Sequence, residues 1–179
     1  MMKDNSLEGI EQQLGKRRNF DAPPLHLWQP ALSGDIAIRI TAEGDWYHEG
    51  GKIERDALVR LFASILRRED DGEYYLVTPG EKWRIEVELH PLMVIDIAVL
   101  EESGKLLATL NTGKLVEVDE THRLFPDPSA DDIAVLQLDH GLTALFNRAA
   151  WYRLVALAQD IDGKPCVRSG SEVFPLVSS

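Results

Sequence analysis

An α+β fold built from an internal duplication is what this sequence predicts, and three observations predict it. Most of the chain reads as short strand-like runs punctuated by glycine turns. Two stretches, residues 54–68 and 148–159, instead carry apolar residues at helical spacing. The two stretches are also related. Ile53, Arg55, Leu58, Arg60, Leu61, Phe62 and Ile65 fall, 93 positions later, on Phe146, Arg148, Trp151, Arg153, Leu154, Val155 and Ala158. Each copy follows strand-like sequence and precedes a Gly turn with two further strand-like runs, 74–78 with 83–87 and 166–168 with 173–177. The expected organisation is an N-terminal helix and extended arm over residues 1–32, a first half over 33–91 and a second half over 92–179. A duplicated unit builds a seam between its halves, and seams bind ligands.

Taken in order, residues 6–15 suit a short helix and residues 20–30 an extended, proline-rich arm that packs over a neighbouring surface. Residues 35–41 alternate Ile36, Ile38 and Ile40 with Ala37 and Arg39, the period of a half-buried strand, and Gly44 turns this strand into a partner at 45–49. Gly50 and Gly51 should then break the sheet. Leu58, Leu61, Phe62, Ile65 and Leu66 form the stripe of a helix over 54–68, closed by Asp71-Gly72. Residues 74–78 and 83–88 flank Pro79-Gly80 as a hairpin. Three apolar runs between 92 and 118 predict a meander, residues 125–132 with two prolines a loop, and residues 133–138 and 142–145 two more strands. The second helix should cover 148–159, with Gly163 of Ile161-Asp162-Gly163 as a left-handed cap. Leu61 and Leu154 occupy matching core positions under the 93-residue shift.

Composition narrows the function classes. With 179 residues, 44% of them hydrophobic, the chain can bury a real core. Its formal net charge of −11 argues against nucleic acid as the main partner. Lys16, Arg17 and Arg18 form the densest basic cluster, read as a solvated helix end. The single Cys166 excludes an internal disulfide, suits a reducing cytoplasm and reads as a packing residue. The N-terminus lacks a secretory apolar run, and the stretch 92–100 is broken by Asp96 and too short to span a bilayer, so a soluble cytoplasmic protein without membrane contact is expected.

Few residue patterns carry chemistry. His26, His48, His90, His122 and His140 lie far apart, with no metal-ligand spacing. Asp160-Ile161-Asp162-Gly163 opens like a calcium loop but lacks the downstream glutamate. No phosphate-binding glycine loop or Gly-x-Ser-x-Gly turn is present, so no cofactor, metal or catalytic residue is assigned. Two features point to binding. Arg55 and Arg148 fall in the first turns of their helices, where the dipole disfavours a cation by about 0.3–1 kcal/mol, so each needs a negative neighbour. Asp45 or Glu81 would serve as that neighbour, or else a bound phosphate or carboxylate. The second feature is the hairpin tip with Thr78, Glu81 and Lys82, flanked by Tyr74 and Trp83.

The runs Leu25-His26-Leu27-Trp28-Gln29-Pro30, Gly44-Asp45-Trp46-Tyr47-His48-Glu49-Gly50, Ile53-Glu54-Arg55, Leu58-Val59-Arg60-Leu61-Phe62, Ile65-Leu66-Arg67 and Leu76-Val77-Thr78-Pro79-Gly80-Glu81-Lys82 resemble the bacterial family known as domain of unknown function 1285. The second half matches more loosely through Arg148, Tyr152, Leu154-Val155, Ser169-Gly170 and Phe174. The resemblance implies a small soluble protein with a duplicated core and a C-terminal half superficially like a pleckstrin homology fold. It further implies a nucleotide-like ligand in the seam and a role in signalling. The chain departs from the family pattern at Leu89-His90-Pro91-Leu92, where the family continues with an acidic residue and Pro-Phe, and at Glu172-Val173 before a single Phe174.

Three readings follow. The preferred one is a regulatory module holding a small anionic ligand, with Trp46, His48, Arg55, Thr78, Glu81, Lys82 and Arg148 as binding residues. The alternative is a protein-interaction scaffold docking a partner on exposed strands or on the proline-rich arm. The third is a hydrolase using His48 with Asp45 or Glu81 as acid–base pair.

Overall fold

In the computed structural model, residue 10 and residues 23–179 are described. The helix expected over 6–15 (Ile10 apart), the basic cluster at 16–18 and the start of the arm lie outside them. The chain divides between Leu89 and His90 into two units, each with its own sheet.

The first unit begins with an extended arm carrying a 3₁₀ turn at Leu25–Leu27. Strands β1 (Gly34–Ile40), β2 (Trp46–His48) and β3 (Gly51–Lys52) form an antiparallel meander. Gly50 and Gly51 do not break this sheet: Glu49 and Gly50 have positive φ (50° and 84°) and make the tight turn that returns the chain as β3. Helix α1 (Asp56–Ser64) follows, then a second antiparallel meander of β4 (Leu66–Arg68), β5 (Tyr74–Val77) and β6 (Lys82–Val87). The meanders join through β1 and β6, which run parallel, giving the order β3-β2-β1-β6-β5-β4.

The helix expected over 54–68 therefore stops at Ser64. Ile65 is its C-cap, and Leu66, Arg67 and Arg68 pair instead with Leu76, Tyr75 and Tyr74. As a strand, this segment sends Leu66 into the core on one face and Arg67 to the other, and strand pairing overrides the helical pattern. Ile36, Ile38, Ile40, Trp46, Phe62, Ile65, Leu66, Leu76 and Ile85 are buried in this unit.

The second unit starts with the meander β7 (Leu92–Val99), β8 (Leu106–Leu110) and β9 (Leu115–Glu117). Next comes β10 (Leu124–Asp127), where a loop was expected. Phe125 pairs with Val135 and Pro126 with Ala134. Pro126 is tolerated because β10 is the edge of the sheet, where a missing N–H breaks no ladder. A 3₁₀ turn at Pro128–Ala130 leads into β11 (Ile133–Gln137), another at Asp139–Gly141 into β12 (Thr143–Phe146), and helix α2 (Arg148–Ala156) follows. The six-stranded order is β10-β11-β12-β7-β8-β9, again with one parallel pair, β12 with β7.

Helix α2 ends at Ala156, with Leu157 as cap, earlier than the predicted 159. Gly163 does not cap it. Asp162 and Gly163 (φ 53° and 81°) form the two-residue turn between β13 (Gln159–Ile161) and β14 (Lys164–Ser169), and β15 (Glu172–Pro175) completes a three-stranded sheet.

The α+β duplication is present. A meander, a helix and a second meander occur as β1–β2–β3–α1–β4–β5–β6 and again as β10–β11–β12–α2–β13–β14–β15. The first and last strands of the first copy pair directly, whereas β15 lies against β10 in a separate sheet. The helices superpose in sequence at a shift of 92, one less than the stripe suggested. Phe62 then corresponds to Leu154, both fully buried, while Leu61 is only half-buried. One extra residue before β13 restores the shift of 93, because Leu66–Arg68 matches Gln159–Ile161. No described helix is long and apolar enough to cross a membrane.

Candidate functional site

Within the first unit the predicted binding residues fall on two segments, Thr78, Glu81 and Lys82 at the β5–β6 turn and Trp46, His48 and Arg55 along β2 and the start of α1, while Arg148 belongs to the second unit. Thr78 is fully buried and closes the β5–β6 turn twice: its N–H donates to the Glu81 carbonyl at 2.9 Å and its Oγ1 accepts from the Glu81 N–H at 3.0 Å. The Glu81 carboxylate accepts from Trp83 Nε1 at 3.2 Å. Both residues thus hold the hairpin tip. Lys82 is also engaged, donating from Nζ to Glu69 at 2.8 Å and lying 4.7 Å from the Tyr75 ring centre.

Arg55 and Arg148 are not equivalent. Arg55 is the N-cap of α1, in extended conformation, while Arg148 is the first helical residue of α2, behind an Asn147 cap that accepts from the Ala150 N–H at 2.9 Å. Both arginines are exposed and make no ion pair among the described residues. The carboxylates expected beside them are used elsewhere, Asp45 facing Lys52 at 3.6 Å and Glu81 holding Trp83. Among the described residues His48 makes no hydrogen bond to Asp45 or Glu81, whose own contacts are with Thr41 and Trp83.

Trp46 is the exception. It points to the same face of the sheet as Ile38 and Ile40, since Ile40 pairs with Trp46 and Ile38 with His48. Its ring stacks on Phe62 at 6.4 Å and is 2% exposed, yet its indole N–H has no hydrogen-bond partner among the described residues. Its carbonyl accepts from the Ile53 N–H at 2.8 Å, which ties β2 to the segment leading into Arg55. A buried donor is normally satisfied, and leaving one unpaired costs about 1–3 kcal/mol.

A polar network on the opposite face escaped the sequence reading. Register places Arg67, Tyr75 and Arg84 in one row across β4, β5 and β6. Arg67, 8% exposed, donates to the carbonyls of Leu25 and Trp28, both at 2.9 Å, and forks onto Glu69 through Nε and Nη2. Burial pushes the Glu69 carboxyl up, but hydrogen bonds from Lys82 and Arg67 outweigh it and hold the group below the ordinary carboxylate value. Tyr75 donates its hydroxyl to Asp71, which pushes the phenol up to about 12 and pulls Asp71 down. The network clamps the arm onto the sheet. Its one legible signal is Arg67 itself, which ends the family-like run Ile65-Leu66-Arg67 two residues before Glu69.

With the geometry in view, comparison with known proteins places the chain. The N-terminal model of the domain of unknown function DUF1285 matches residues 23–89, and its C-terminal model residues 91–176. The chain belongs to the DUF1285 family. A family member from Silicibacter pomeroyi DSS-3, solved by crystallography, is 34% identical with a TM-score of 0.85, over 95% of each chain. Another from Shewanella baltica OS155 is also 34% identical, with a TM-score of 0.58 over 68% of this chain and 91% of its own. No curated protein matches.

Proposed function

We propose that the protein is a regulatory module that binds a small anionic, nucleotide-like molecule on the first unit, where α1 begins beside β2. The observation that carries this reading is the Trp46 indole N–H, buried without a partner among the described residues and in need of an acceptor. An anion that reached Nε1 would supply one. Arg55, exposed and unpaired at the start of α1, adds counter-charge, and the free N–H groups of the helix start add donors. Asp56, in the same first turn, is the internal competitor for those donors. Arg148 lies outside this reading, and Thr78, Glu81 and Lys82 enter it only as scaffold.

Calorimetry and thermal shift with nucleoside mono- and triphosphates, inorganic phosphate and a dicarboxylate test it. Trp46→Phe should weaken the tightest of these anions by about 10–100-fold, the loss of one hydrogen bond to a charged group. Arg55→Gln should weaken it too, with little change in the unliganded melting temperature. If none of these anions raises the melting temperature, or if Trp46→Phe leaves the affinity unchanged, the reading fails. A second reading, docking of a protein partner, is favoured by the arm itself, where Leu27 is 69% and Leu32 46% exposed.

A further inference from the structure

We propose that Thr143, His90 and Asp127 form a hydrolytic triad in the second unit, with Thr143 as nucleophile toward small neutral carboxylic esters. The three residues are distant in sequence and meet because of strand order. His90 precedes β7, Asp127 closes β10 and Thr143 opens β12, which lies between β11 and β7. His90 Nδ1 is 2.7 Å from Thr143 Oγ1, and His90 Nε2 is 2.6 Å from Asp127 Oδ2. Those are the two contacts a nucleophile–base–orienter chain needs. An ionised carboxylate only accepts, so the Asp127 contact places a proton on His90 Nε2, and in the neutral imidazole the Nδ1 lone pair then faces the threonine hydroxyl.

Asp127 is itself held in place. Its Oδ1 accepts from the Ser129 hydroxyl at 2.6 Å and from the Ser129 N–H at 2.9 Å, in the 3₁₀ turn that follows β10. Burial pushes its carboxyl up, but the bonds from Ser129 and His90 more than offset this and keep it below the ordinary value, so it stays ionised near neutrality. His90 and Asp127 side chains are 12% and 15% exposed, and Thr143 is half-buried, which leaves the group screened yet open to solvent.

The surroundings define the substrate class. Phe125 pairs with Val135, Asp127 with Ile133 and Gln137 with Thr143, so Phe125, Asp127, Ile133 and Thr143 share one face of the sheet. Phe125 is 38% exposed and Ile133 half-buried, which offers apolar surface to an acyl chain. Asp131 and Asp132 extend the acidic turn beside Asp127 and repel an anionic substrate. The reaction balances as ester plus water giving acid plus alcohol. Thr143 Oγ1 bonds to the acyl carbon while its proton passes to His90 Nδ1. The acyl–oxygen bond breaks, and that proton leaves with the alcohol. Water then attacks the acyl-threonine through the same nitrogen, freeing the carboxylic acid and restoring the Thr143 hydroxyl.

The test treats the full chain with p-nitrophenyl butyrate, reading nitrophenolate release and, by peptide mass spectrometry, a butyryl group on Thr143. The adduct is expected on the wild type and on Thr143→Ser. It should disappear in Thr143→Val, which keeps a β-branched residue at the start of the strand, with the melting temperature measured on the same sample. His90→Gln should slow acylation about 100-fold, the scale of a lost general base. A folded wild-type chain that carries no adduct at Thr143 overturns the proposal, and so does acylation of Thr143 at an undiminished rate in folded His90→Gln.

Discussion

Replacing Arg67 by alanine isolates the clamp between the arm and the first sheet. The guanidinium donates to two backbone carbonyls, Leu25 and Trp28, and forks onto Glu69, with side-chain exposures of 10% for Arg67 and 24% for Glu69. Hydrogen bonds involving a charged group contribute about 1.5–3 kcal/mol each when well buried. Removing Arg67 takes a charged donor from both carbonyls, but Leu25 keeps the Trp28 N–H at 3.1 Å and Glu69 keeps Lys82 at 2.8 Å, so the Glu69 charge is not orphaned. Losing the two charged hydrogen bonds to carbonyls places the loss at about 3–6 kcal/mol. Arg67→Lys should rescue little, since one ammonium cannot span two carbonyls and a carboxylate with the geometry of a planar fork. Urea unfolding measures the free energy, and limited proteolysis at residues 23–32 reports the arm separately. A loss under about 1 kcal/mol, or an arm that stays protease-resistant in Arg67→Ala, would refute the clamp.

Two further predictions concern the core and the alkaline limit. Phe62→Ala should cost about 3–5 kcal/mol and Leu154→Ala about 2–5 kcal/mol, because each leaves a cavity under its helix. Half-buried Leu61→Ala should cost less than either, and a larger loss at Leu61 would restore the 93-residue register. Tyr75 is held protonated in the fold, with its value raised from 10.0 to about 12, so its contribution is fully present below pH 10 and lost as pH climbs to about 12. The urea midpoint should fall across that window, and Tyr75→Phe should flatten the fall. If the two pH profiles coincide, the Tyr75–Asp71 bond is not what the alkaline limit reports.

Local signals were legible wherever neighbours in sequence decide the conformation. The alternation of Ile36, Ile38 and Ile40 became β1, and Pro79-Gly80 became the β5–β6 turn that Thr78 and Glu81 close. The apolar stripes marked both helices. Errors clustered where a distant strand claimed a segment. Leu66–Arg68 continued a helical pattern but had β5 as a partner, and Leu124–Asp127 carried a proline yet paired with β11 at an exposed edge. Asp162-Gly163 suits a helix stop and a hairpin turn equally, and only the pairing of Ile161 with Lys164 separates the two.

By itself the sequence determined the α+β class, the repetition of a meander–helix–meander unit and the family, because periodicity, turn chemistry and motif order are properties of contiguous residues. The tertiary structure alone decided which side chains act together. Arg67 meets Leu25 and Trp28 across about 40 positions, and His90 meets Thr143 across 53. Such contacts arise from strand order and register, where a shift of one residue turns a side chain to the other face, and no local pattern encodes that choice.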